Sequence, residues 1–333
     1  MATAAAVILA AGQGSRMKSN LAKVLHPLAG LEMVNHAVRN VRLAQFEEII
    51  VVVGYQGEKV RAVLEGVTVV EQKEQLGTGH AVDQCREVLS SFDGPVLVTY
   101  GDTPLFRSET FQALLAYHQE QQAAATIVTA CFADPTGYGR ILRDENNQVL
   151  GVVEHKDATP EQRLISEINT GTYMFQSKLL FHYLAQITPE NAQAEYYLPD
   201  VLPLMSADGH RVAGFILDDP TESMGINDRI QLAEAEALLR DRICRYWQEQ
   251  GVTIVDPQST WIEWDCEIGQ DTVIYPGCLI QKGSRIGENC RIGPNCRLSG
   301  AVVHSGAVLE YTVVVDRTVG QDERILPFSF LTK

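Results

Sequence analysis

Residues 4–23 read AAAVILAAGQGSRMKSNLAK, an apolar run that passes directly into a glycine-rich, basic stretch. The apolar part is short and uninterrupted, which predicts a buried strand. The part that follows holds two glycines, one arginine and two lysines, and the next acidic residue is Glu32. The whole chain has a formal charge of −15, so a cluster of three cations at a strand end is unexpected and indicates a specific role. They indicate a loop that binds phosphate groups.

Three phosphate-binding patterns were compared with this loop. The pattern GxxxxGK[ST] is absent, and GxGxxG is met only in its first half, because Met17 stands where the third glycine belongs. The third pattern is the nucleotidyltransferase loop, LxAGxGxRM followed by a lysine, and it is filled by Leu9, Ala11, Gly12, Gly14, Arg16, Met17 and Lys23. Glycines let backbone N–H groups approach phosphate oxygens, and Arg16 and Lys23 add positive charge. An ordinary strand-to-helix turn with solvated cations is the alternative.

The chain up to about residue 229 alternates short β-like runs with helix-like stretches. The predicted strands are AAAVILAA, EEIIVVVG, VTVVEQ, GPVLVTYGD, AATIVTACF and NTGTYMFQ, and the predicted helices include MVNHAVRNVRLA and EKVRAVLEG. This alternation favours an α/β domain with a mostly parallel sheet. In such sheets ligands bind at the carboxyl ends of the strands, near the switch point. The loop after the first strand and Asp102, after VLVTYG, are therefore where chemistry is expected.

From Gly251 onward the period changes to six residues. Aliphatic residues recur in phase at Ile262, Ile268, Ile274, Ile280, Ile286, Ile292 and Leu298. Four positions after each of them stands a small or modest residue, at Cys266, Thr272, Cys278, Ser284, Cys290, Cys296 and Val302. This hexapeptide repeat predicts a parallel β-helix in which three six-residue sides complete one coil. We expect Cys278 and Cys296, which are eighteen residues apart, to stack in adjacent coils. A zinc site would need close cysteine pairs, which the sequence does not contain.

A third region joins the two patterns. The segment 228–250 is rich in Ala, Leu, Glu and Arg, and Gly251 follows it as a stop signal, so we predict a linking helix. It is equally described as the last helix of the first domain. The predicted division is 1–227, 228–250 and 251–333.

Composition excludes several classes of protein. No apolar run approaches the ~18–20 residues that span a bilayer, and the apolar N-terminus lacks the basic start of a signal peptide. An isoelectric point near 5.0, with 42 acidic and 27 basic side chains, argues against nonspecific nucleic-acid binding. Seven cysteines, an odd number without a secretory signal, favour reduced thiols in a cytoplasmic protein.

Nine stretches in the same order make the chain similar to a known family. It resembles the sugar-1-phosphate nucleotidyltransferases, and among them the uridylyltransferase half of the bifunctional uridylyltransferase–acetyltransferases. The stretches are LAAGQGSRMKSNLAKVLHPLAG (9–30), EQKEQLGTGHA (71–81), TYGDTPL (99–105), PTGYGRI (135–141), VEHKDAT (153–159), EINTGTY (167–173), NAQAEYYLPD (191–200), MGINDRIQL (224–232) and the hexapeptide tail. The resemblance implies a Rossmann-like nucleotidyltransferase domain with a mixed, mostly parallel sheet, followed by a short left-handed parallel β-helix.

The resemblance also implies a reaction, in which a phosphate oxygen of N-acetylglucosamine 1-phosphate attacks the α-phosphorus of UTP and pyrophosphate leaves. Asp102 and Asn227 would bind Mg²⁺, and Arg16 and Lys23 would stabilise charge on the triphosphate. The residues expected at the nucleotide are Leu9, Ala10, Ala11, Gly12, Gly14, Gln72, Gly77 and Thr78. Those expected at the sugar are Tyr100, Gly101, Gly139, Glu154, Asn169 and Thr170. Gln72 has the amide groups to read a uracil edge. Lys18 and His26 are expected to be solvated or structural.

The chain departs from the family pattern in two places. Ala22 precedes the loop lysine where the family usually has proline, which leaves residue 21 less restricted. The β-helix repeats stop after a few coils, so acetyl transfer is expected to be absent. We expect a homotrimer formed through the β-helix. The alternatives are another pair of nucleotide and sugar phosphate, a non-catalytic sensor of sugar nucleotides, and an acyltransferase that acts through the β-helix.

Overall fold

A computed structural model describes residues 4–145 and 147–333. The described chain forms two compact units, and each is considered by itself. The first contains the residues up to His26 together with Met33–Asp228, and the second contains Pro27–Glu32 and Arg229–Lys333. The hairpin of residues 27–32 therefore packs with the C-terminal part of the chain, although it lies within the first predicted domain. The predicted functional boundaries at 227/228 and 250/251 stay predictions.

The strands up to residue 216 are of two kinds, a two-stranded hairpin and a nine-stranded sheet. The hairpin consists of β2 (Pro27–Leu28) and β3 (Leu31–Glu32). The sheet consists of β1 (Ala5–Ala10), β4 (Glu48–Val53), β5 (Thr68–Glu71), β6 (Pro95–Tyr100), β7 (Ala125–Cys131), β8 (Arg140–Arg143), β9 (Val149–Val153), β10 (Glu167–Gln176) and β11 (Val212–Ile216).

The order of the main sheet is β11-β7-β10-β6-β1-β4-β5. Only β10 runs antiparallel to its neighbours in this order, so the sheet is mixed and mostly parallel, as predicted. Strand β1 is buried along its whole length and pairs with β4 on one side and β6 on the other. Alternate residues of β1 enter two apolar cores: Val7 belongs to one cluster and Ile8 to the other.

The helices cover the sheet or follow it in the chain. They are α1 (Met33–Leu43), α2 (Gly57–Arg61), α3 (Thr78–Asp83), α4 (Ser108–Glu120), α5 (Ser177–Leu184), α6 (Val201–Ala207) and α7 (Arg229–Glu249). In α1, Val34, Ala37, Val38 and Val41 are buried, at the spacing of one helical face. None of the helices within residues 4–145 and 147–333 combines the length and apolar character that crossing a bilayer requires.

The six predicted strands are confirmed, and three strands of the sheet were missed. Strand β8 pairs with β10 and with β9, β9 pairs with β8, and β11 lies at the sheet edge. Arg140–Arg143 begins and ends with arginine, and β11 contains a central glycine, so neither segment has the continuous apolar run that identified the other strands.

The second unit contains the hairpin, α7 and a stack of short parallel strands. The strands are β12 (Thr253–Ile254), β13 (Trp261–Ile262), β14 (Glu267–Ile268), β15 (Val273–Ile274), β16 (Leu279–Gln281), β17 (Arg285–Ile286), β18 (Arg291–Ile292), β19 (Arg297–Ser299), β20 (Val302–Val303), β21 (Val308–Leu309), β22 (Val313–Val315), β23 (Thr318–Val319) and β24 (Phe330–Leu331). They form three sheets, in each of which every third strand pairs, apart from the final β22–β24 pair. This is the predicted β-helix.

The repeat holds its phase in the first coils. Ile268 pairs with Ile286, Ile274 with Ile292 and Ile280 with Leu298, each eighteen residues on. Their side chains are buried, and the small residues between them are buried as well. All seven cysteines are free thiols. Cys278 and Cys296 are both buried, and the residues that follow them, Leu279 and Arg297, are paired, so the two cysteines stack in adjacent coils as predicted.

After Leu298 the coil shortens, and one predicted interior residue is wrong. Ile286 pairs with Val303, seventeen residues on, because only four residues separate Leu298 from the next interior aliphatic residue. Val303 is 2 % exposed, whereas Val302, predicted to be interior, is 38 % exposed. Ala301 takes the small interior position instead. Gly300, with φ 61°, forms the shortened corner in a backbone conformation that suits glycine.

The hairpin of β2 and β3 is held by polar contacts within the second unit. Its turn residue Ala29 has φ 45°, a conformation that is unfavourable for alanine. The Ala29 N–H donates to the Glu236 carboxylate on α7, at 2.9 and 3.2 Å from its two oxygens. The Ala29 carbonyl accepts from the Trp264 N–H at 3.1 Å. These contacts fix the hairpin turn against α7 and the first coil.

Two neighbouring valines test the shortened coil. Val303→Ala removes buried methyl groups and should lower the free energy of unfolding by about 2 kcal/mol. Val302→Ala alters an exposed side chain and should change it by less than about 0.5 kcal/mol. Urea denaturation followed by circular dichroism measures both. The reverse order would show that Val302 is the interior residue.

Candidate active site

The glycine-rich loop and the segment that contains Asp102 meet at the carboxyl end of β1. The Gly101 N–H donates to the Leu9 carbonyl at 2.9 Å, on the β6 side. On the β4 side, the Tyr55 N–H donates to the Ala11 carbonyl at 3.2 Å. From β1 the chain continues to β4 and β5 on one side of the sheet, whereas β6 lies on the other side of β1. The carboxyl end of β1 is therefore the switch point, where α/β sheets bind ligands.

The loop itself makes one close turn that only glycine allows. Gly14 has φ 64° and precedes a short 3-10 helix, Ser15–Met17, whose Met17 side chain is buried. A Cβ atom at Gly14 would lie 2.5 Å from the Cβ of Lys23. The turn therefore brings residues 14 and 23 into direct contact.

Lys23 makes the central polar contact of the site. Its ammonium forms an ion pair with the Asp102 carboxylate and also donates to Oδ1 of Asn227 at 3.1 Å. The side chains of Lys23 and Asp102 are only 12 % and 18 % exposed, which strengthens the attraction between them. Asn227 is brought there by the backbone, because the Ile226 N–H donates to the Asp102 carbonyl at 2.9 Å.

The carboxylate and amide oxygens of Asp102 and Asn227 already surround one cation, the Lys23 ammonium. Hard oxygen donors of this kind are what Mg²⁺ prefers. In residues 4–145 and 147–333, no group of three or more His, Cys, Asp or Glu side chains could hold a metal alone. The donors present fit a magnesium ion that takes one or two ligands from the protein and the rest from phosphates and water.

Arg16 lies in the 3-10 helix with its side chain exposed. It forms no ion pair with any residue that the structure describes, so its charge is available to a ligand. Lys18, at φ 47°, is also exposed and ends the same turn. His26 is buried.

The residues expected at the nucleotide base lie together after β5. The Gln72 N–H donates to the Val53 carbonyl at 2.8 Å, and the Gln72 side-chain amide donates to the Gly77 carbonyl at 3.1 Å. Thr78 uses its hydroxyl to accept from the Leu198 N–H at 3.0 Å. A Cβ at Gly54 would lie 2.9 Å from both the Cβ of Ala11 and Nε2 of Gln75. This turn therefore adjoins the glycine-rich loop.

The residues expected at the sugar form a second group around β8 and β10. The Asn169 N–H donates to the Gly139 carbonyl at 2.9 Å. A Cβ at Gly139 would lie 3.1 Å from Oε1 of Glu154. Burial, and then the charges of Asp157 and Asp200, raise the pKa of Glu154.

The side chains of Asn169 and Thr170 on β10 form hydrogen bonds within the protein, at a bulge between Asn169 and Tyr173. Oδ1 of Asn169 accepts from the Gly171 N–H at 2.8 Å and from the Tyr173 hydroxyl at 3.0 Å, which leaves its Nδ2 to donate. The Thr170 hydroxyl donates to the Val128 carbonyl at 2.8 Å. Thr170 is therefore held in the fold by its side chain.

The Tyr100 side chain interacts with one residue from each of the groups described above, namely Thr78, Asp102 and Glu154. Burial raises the pKa of its phenol, as do the charges of Asp102 and Glu154, while a hydrogen bond with Thr78 acts in the opposite direction. A Cβ at Gly171 would lie 2.5 Å from the Tyr100 ring, so glycine makes room for that ring. The predicted site residues thus lie in neighbouring groups of the first unit, while the roles assigned to them stay predictions.

Sequence reasoning missed two side chains here. His80 lies on α3 with Nδ1 3.0 Å from Nε2 of Gln72, and Gln84 contacts Nε2 of His80 at 3.2 Å. His80 belongs to the stretch EQKEQLGTGHA, which is one of those that carry the family resemblance. Its contact with Gln72 depends on the path of the intervening turn, which no local pattern indicates.

Comparison with known proteins identifies two family matches along the chain. Residues 6–167 match the MobA-like NTP transferase domain. Residues 265–300 match the bacterial transferase hexapeptide, as six repeats. A solved structure of UDP-glucose pyrophosphorylase complexed with UDP-glucose has the same fold, with a TM-score of 0.58 at 18 % identity over 73 % of this chain and 100 % of that chain.

Curated relatives are considerably more similar in sequence. The bifunctional protein GlmU of Brevibacillus brevis is 50 % identical over 277 residues, which is 83 % of this chain and 60 % of that protein. GlmU of Halalkalibacterium halodurans is 49 % identical over 276 residues, with 83 % and 61 % covered. GlmU of Listeria monocytogenes is 50 % identical over 277 residues, with the same coverage. The chain spans about three fifths of the length of these relatives.

Two glycines of the loop make a matched pair for mutagenesis. Gly14→Ala places a Cβ against Lys23 at a positive φ and should lower the free energy of unfolding by about 1–3 kcal/mol. A Cβ at Gly12 meets no atom within 4 Å, so Gly12→Ala should change stability by less than about 1 kcal/mol. Thermal and urea denaturation measure both. Equal stability of the two variants would contradict the close approach of residues 14 and 23.

Proposed function

We propose, from the premise that this chain belongs to the sugar-1-phosphate nucleotidyltransferases related to GlmU, that it transfers a uridylyl group from UTP to N-acetylglucosamine 1-phosphate. An oxygen of the sugar phosphate attacks the α-phosphorus of UTP in line with the leaving pyrophosphate, which gives UDP-N-acetylglucosamine. Reactions of this kind need positioning and charge stabilisation more than covalent help from the protein.

The contact of Lys23 with Asp102 and Asn227 is the observation that carries this proposal. It joins a cation of the glycine-rich loop to two oxygen donors at the switch point of the sheet. A nucleotide that binds along the loop would bring its phosphates to this contact. The long stem of Lys23 lets its ammonium turn from the two oxygens to a phosphate. Arg16, exposed on the same loop, adds a second positive charge for the pyrophosphate.

The cofactor we propose is Mg²⁺, held by Asp102 and Asn227 together with the phosphates of the substrates. Such an ion neutralises phosphate charge and fixes the triphosphate in the geometry that the reaction needs. Asp102, which follows β6, and Asn227 would hold it, and the Ile226–Asp102 backbone hydrogen bond keeps these two residues close together.

The groups around β5 and β10 divide the two substrates between them. Gln72, with the Gly77 turn, is proposed to contact the uracil base. The NH₂ group of Asn169 offers two N–H donors and the carboxylate of Glu154 two acceptor oxygens, which suits the acetamido carbonyl and the hydroxyl groups of the sugar. Because protonation turns one oxygen of Glu154 from an acceptor into a donor and the pKa of Glu154 is raised, sugar binding should weaken as pH falls through that raised pKa.

A pyrophosphate-release assay with a panel of nucleotides and sugar phosphates tests the proposal. We expect UTP with N-acetylglucosamine 1-phosphate to be the preferred pair and activity to require a divalent ion. Asp102→Asn should lower kcat/KM by about 10²-fold or more, because the Lys23 ammonium and the metal lose their carboxylate partner.

Asp93→Asn is the matched control. Asp93 forms an exposed ion pair with Lys178, so its replacement should leave kcat/KM unchanged. Preference for another nucleotide would refute the uridylyl assignment. Full activity of folded Asp102→Asn protein would refute the role of Asp102.

The β-helix supports a proposal about assembly. Hexapeptide repeats suggest oligomerisation, and we propose that three chains associate through their β-helices. Light scattering of the purified chain should give three times the 36.7 kDa of one chain. A mass of 36.7 kDa at working concentrations would contradict the trimer.

A further inference from the structure

The side-chain amide of Gln72 is held in one orientation by the protein. The Gln72 side chain is almost completely buried, at 3 % residue exposure. Its Nε2 lies 3.1 Å from the Gly77 carbonyl oxygen and 3.0 Å from Nδ1 of His80. A carbonyl oxygen only accepts hydrogen bonds, so the nitrogen and not the oxygen of the amide must face Gly77. Turning the amide over would set two acceptor oxygens against each other.

The same orientation fixes the protonation of His80. If Nε2 of Gln72 donates one proton to Gly77, its second proton points to Nδ1 of His80, which must then present a lone pair. A neutral imidazole accepts at one nitrogen and donates at the other. His80 therefore carries its proton on Nε2. Gln84 cannot donate to that nitrogen as well, and its amide instead keeps the His80 carbonyl, at 3.1 Å.

What remains of Gln72 for a ligand is its oxygen. Both amide protons are used within the protein, and Oε1 has no hydrogen-bond partner among residues 4–145 and 147–333. An acceptor is the group that distinguishes uracil from cytosine at position N3. Uracil carries a proton there, whereas cytosine has a lone pair that an amide oxygen repels. A site whose polar groups match one base rejects a base that leaves them unpaired.

We propose that His80 is a positioning residue that fixes the Gln72 amide with its oxygen toward the base and thereby makes the enzyme select UTP over CTP. This inference rests on the proposed function, because it assumes that Gln72 faces the base of the nucleotide. His80 does not itself contact the nucleotide. It acts through Gln72, together with the Gly77 carbonyl.

Two variants of His80 separate positioning from a general role in folding. His80→Leu keeps much of the volume and removes the acceptor. His80→Asn keeps an oxygen close to the position of Nδ1. Wild-type and variant proteins would be compared by competition between UTP and CTP at fixed N-acetylglucosamine 1-phosphate, after circular dichroism has shown that each is folded.

We expect His80→Leu to lower the UTP-to-CTP ratio of kcat/KM by about tenfold or more, because the Gln72 amide then loses one of the two acceptors that fix its orientation and is held by the Gly77 carbonyl alone. The KM for the sugar phosphate should not change. His80→Asn should keep the wild-type ratio within about threefold, since an acceptor still faces Gln72. An unchanged ratio in folded His80→Leu protein would overturn the inference, and so would an equal loss in both variants.

A second measurement needs no variant to be active. In wild-type protein labelled with ¹⁵N-histidine, the His80 ring nitrogens should show the tautomer protonated at Nε2, with the His80→Asn spectrum used for assignment. A proton on Nδ1 in the neutral ring would overturn the inference. If the wild type does not use UTP at all, the proposed function fails, whereas an Nδ1–H tautomer or an unchanged ratio in a UTP-using enzyme defeats this inference alone.

Discussion

The hydrogen bonds on both edges of β1 are the constraint on which the first unit depends. Because β1 pairs with β4 and with β6, the loop that follows it and the segment that follows β6 end at the same edge of the sheet. The apolar residues of β1 make this arrangement rigid, since they enter the cores on both faces. Lys23 and Asp102 therefore follow buried strands of a well-packed sheet, although neither residue lies in a strand.

The rigid sheet keeps the opposite charges of Lys23 and Asp102 close together. Two opposite charges with little exposure attract strongly only where the surrounding structure keeps them together, and removal of either leaves the other poorly solvated. Gly14 and the Ile226–Asp102 hydrogen bond provide this on the two sides of the contact. In the proposed reaction this contact would open, because the Lys23 stem is flexible and a divalent ion would offer Asp102 a stronger partner. A site that holds its own ammonium when empty avoids a buried, unpaired carboxylate.

Most of the architecture could be predicted from the sequence, because it follows from the spacing of apolar residues along the chain. The six strands with long apolar runs and the six-residue repeat were visible for this reason. Strand β8 and the hairpin of residues 27–32 were not, because their short segments owe their conformation to partners distant in sequence. The repeat also gave a wrong prediction at Val302. The repeat is one residue shorter near Gly300, so the interior positions that follow come one residue earlier, and Val303 rather than its neighbour Val302 is buried.

The site shows the same division. Residue types and a family resemblance brought Asp102, Asn227 and Lys23 to attention, but the direct contact between Lys23 and Asp102 spans 79 positions and has no local signature. The orientation of the Gln72 amide is further from the sequence still. It follows from two acceptors, Nδ1 of His80 and the Gly77 carbonyl, and the direction of that carbonyl depends on a glycine with φ 112°.

The hairpin of residues 27–32 has a consequence for how this chain can be divided. The polypeptide passes from the first unit to the second after His26, returns before Met33, and leaves again after Asp228. No single cut separates the two units, because a fragment that ends at residue 228 keeps the hairpin and loses Glu236 and Trp264, which hold Ala29. A β-helix exchanged between proteins of this kind would have to bring its own six-residue counterpart, which begins four positions after the loop lysine.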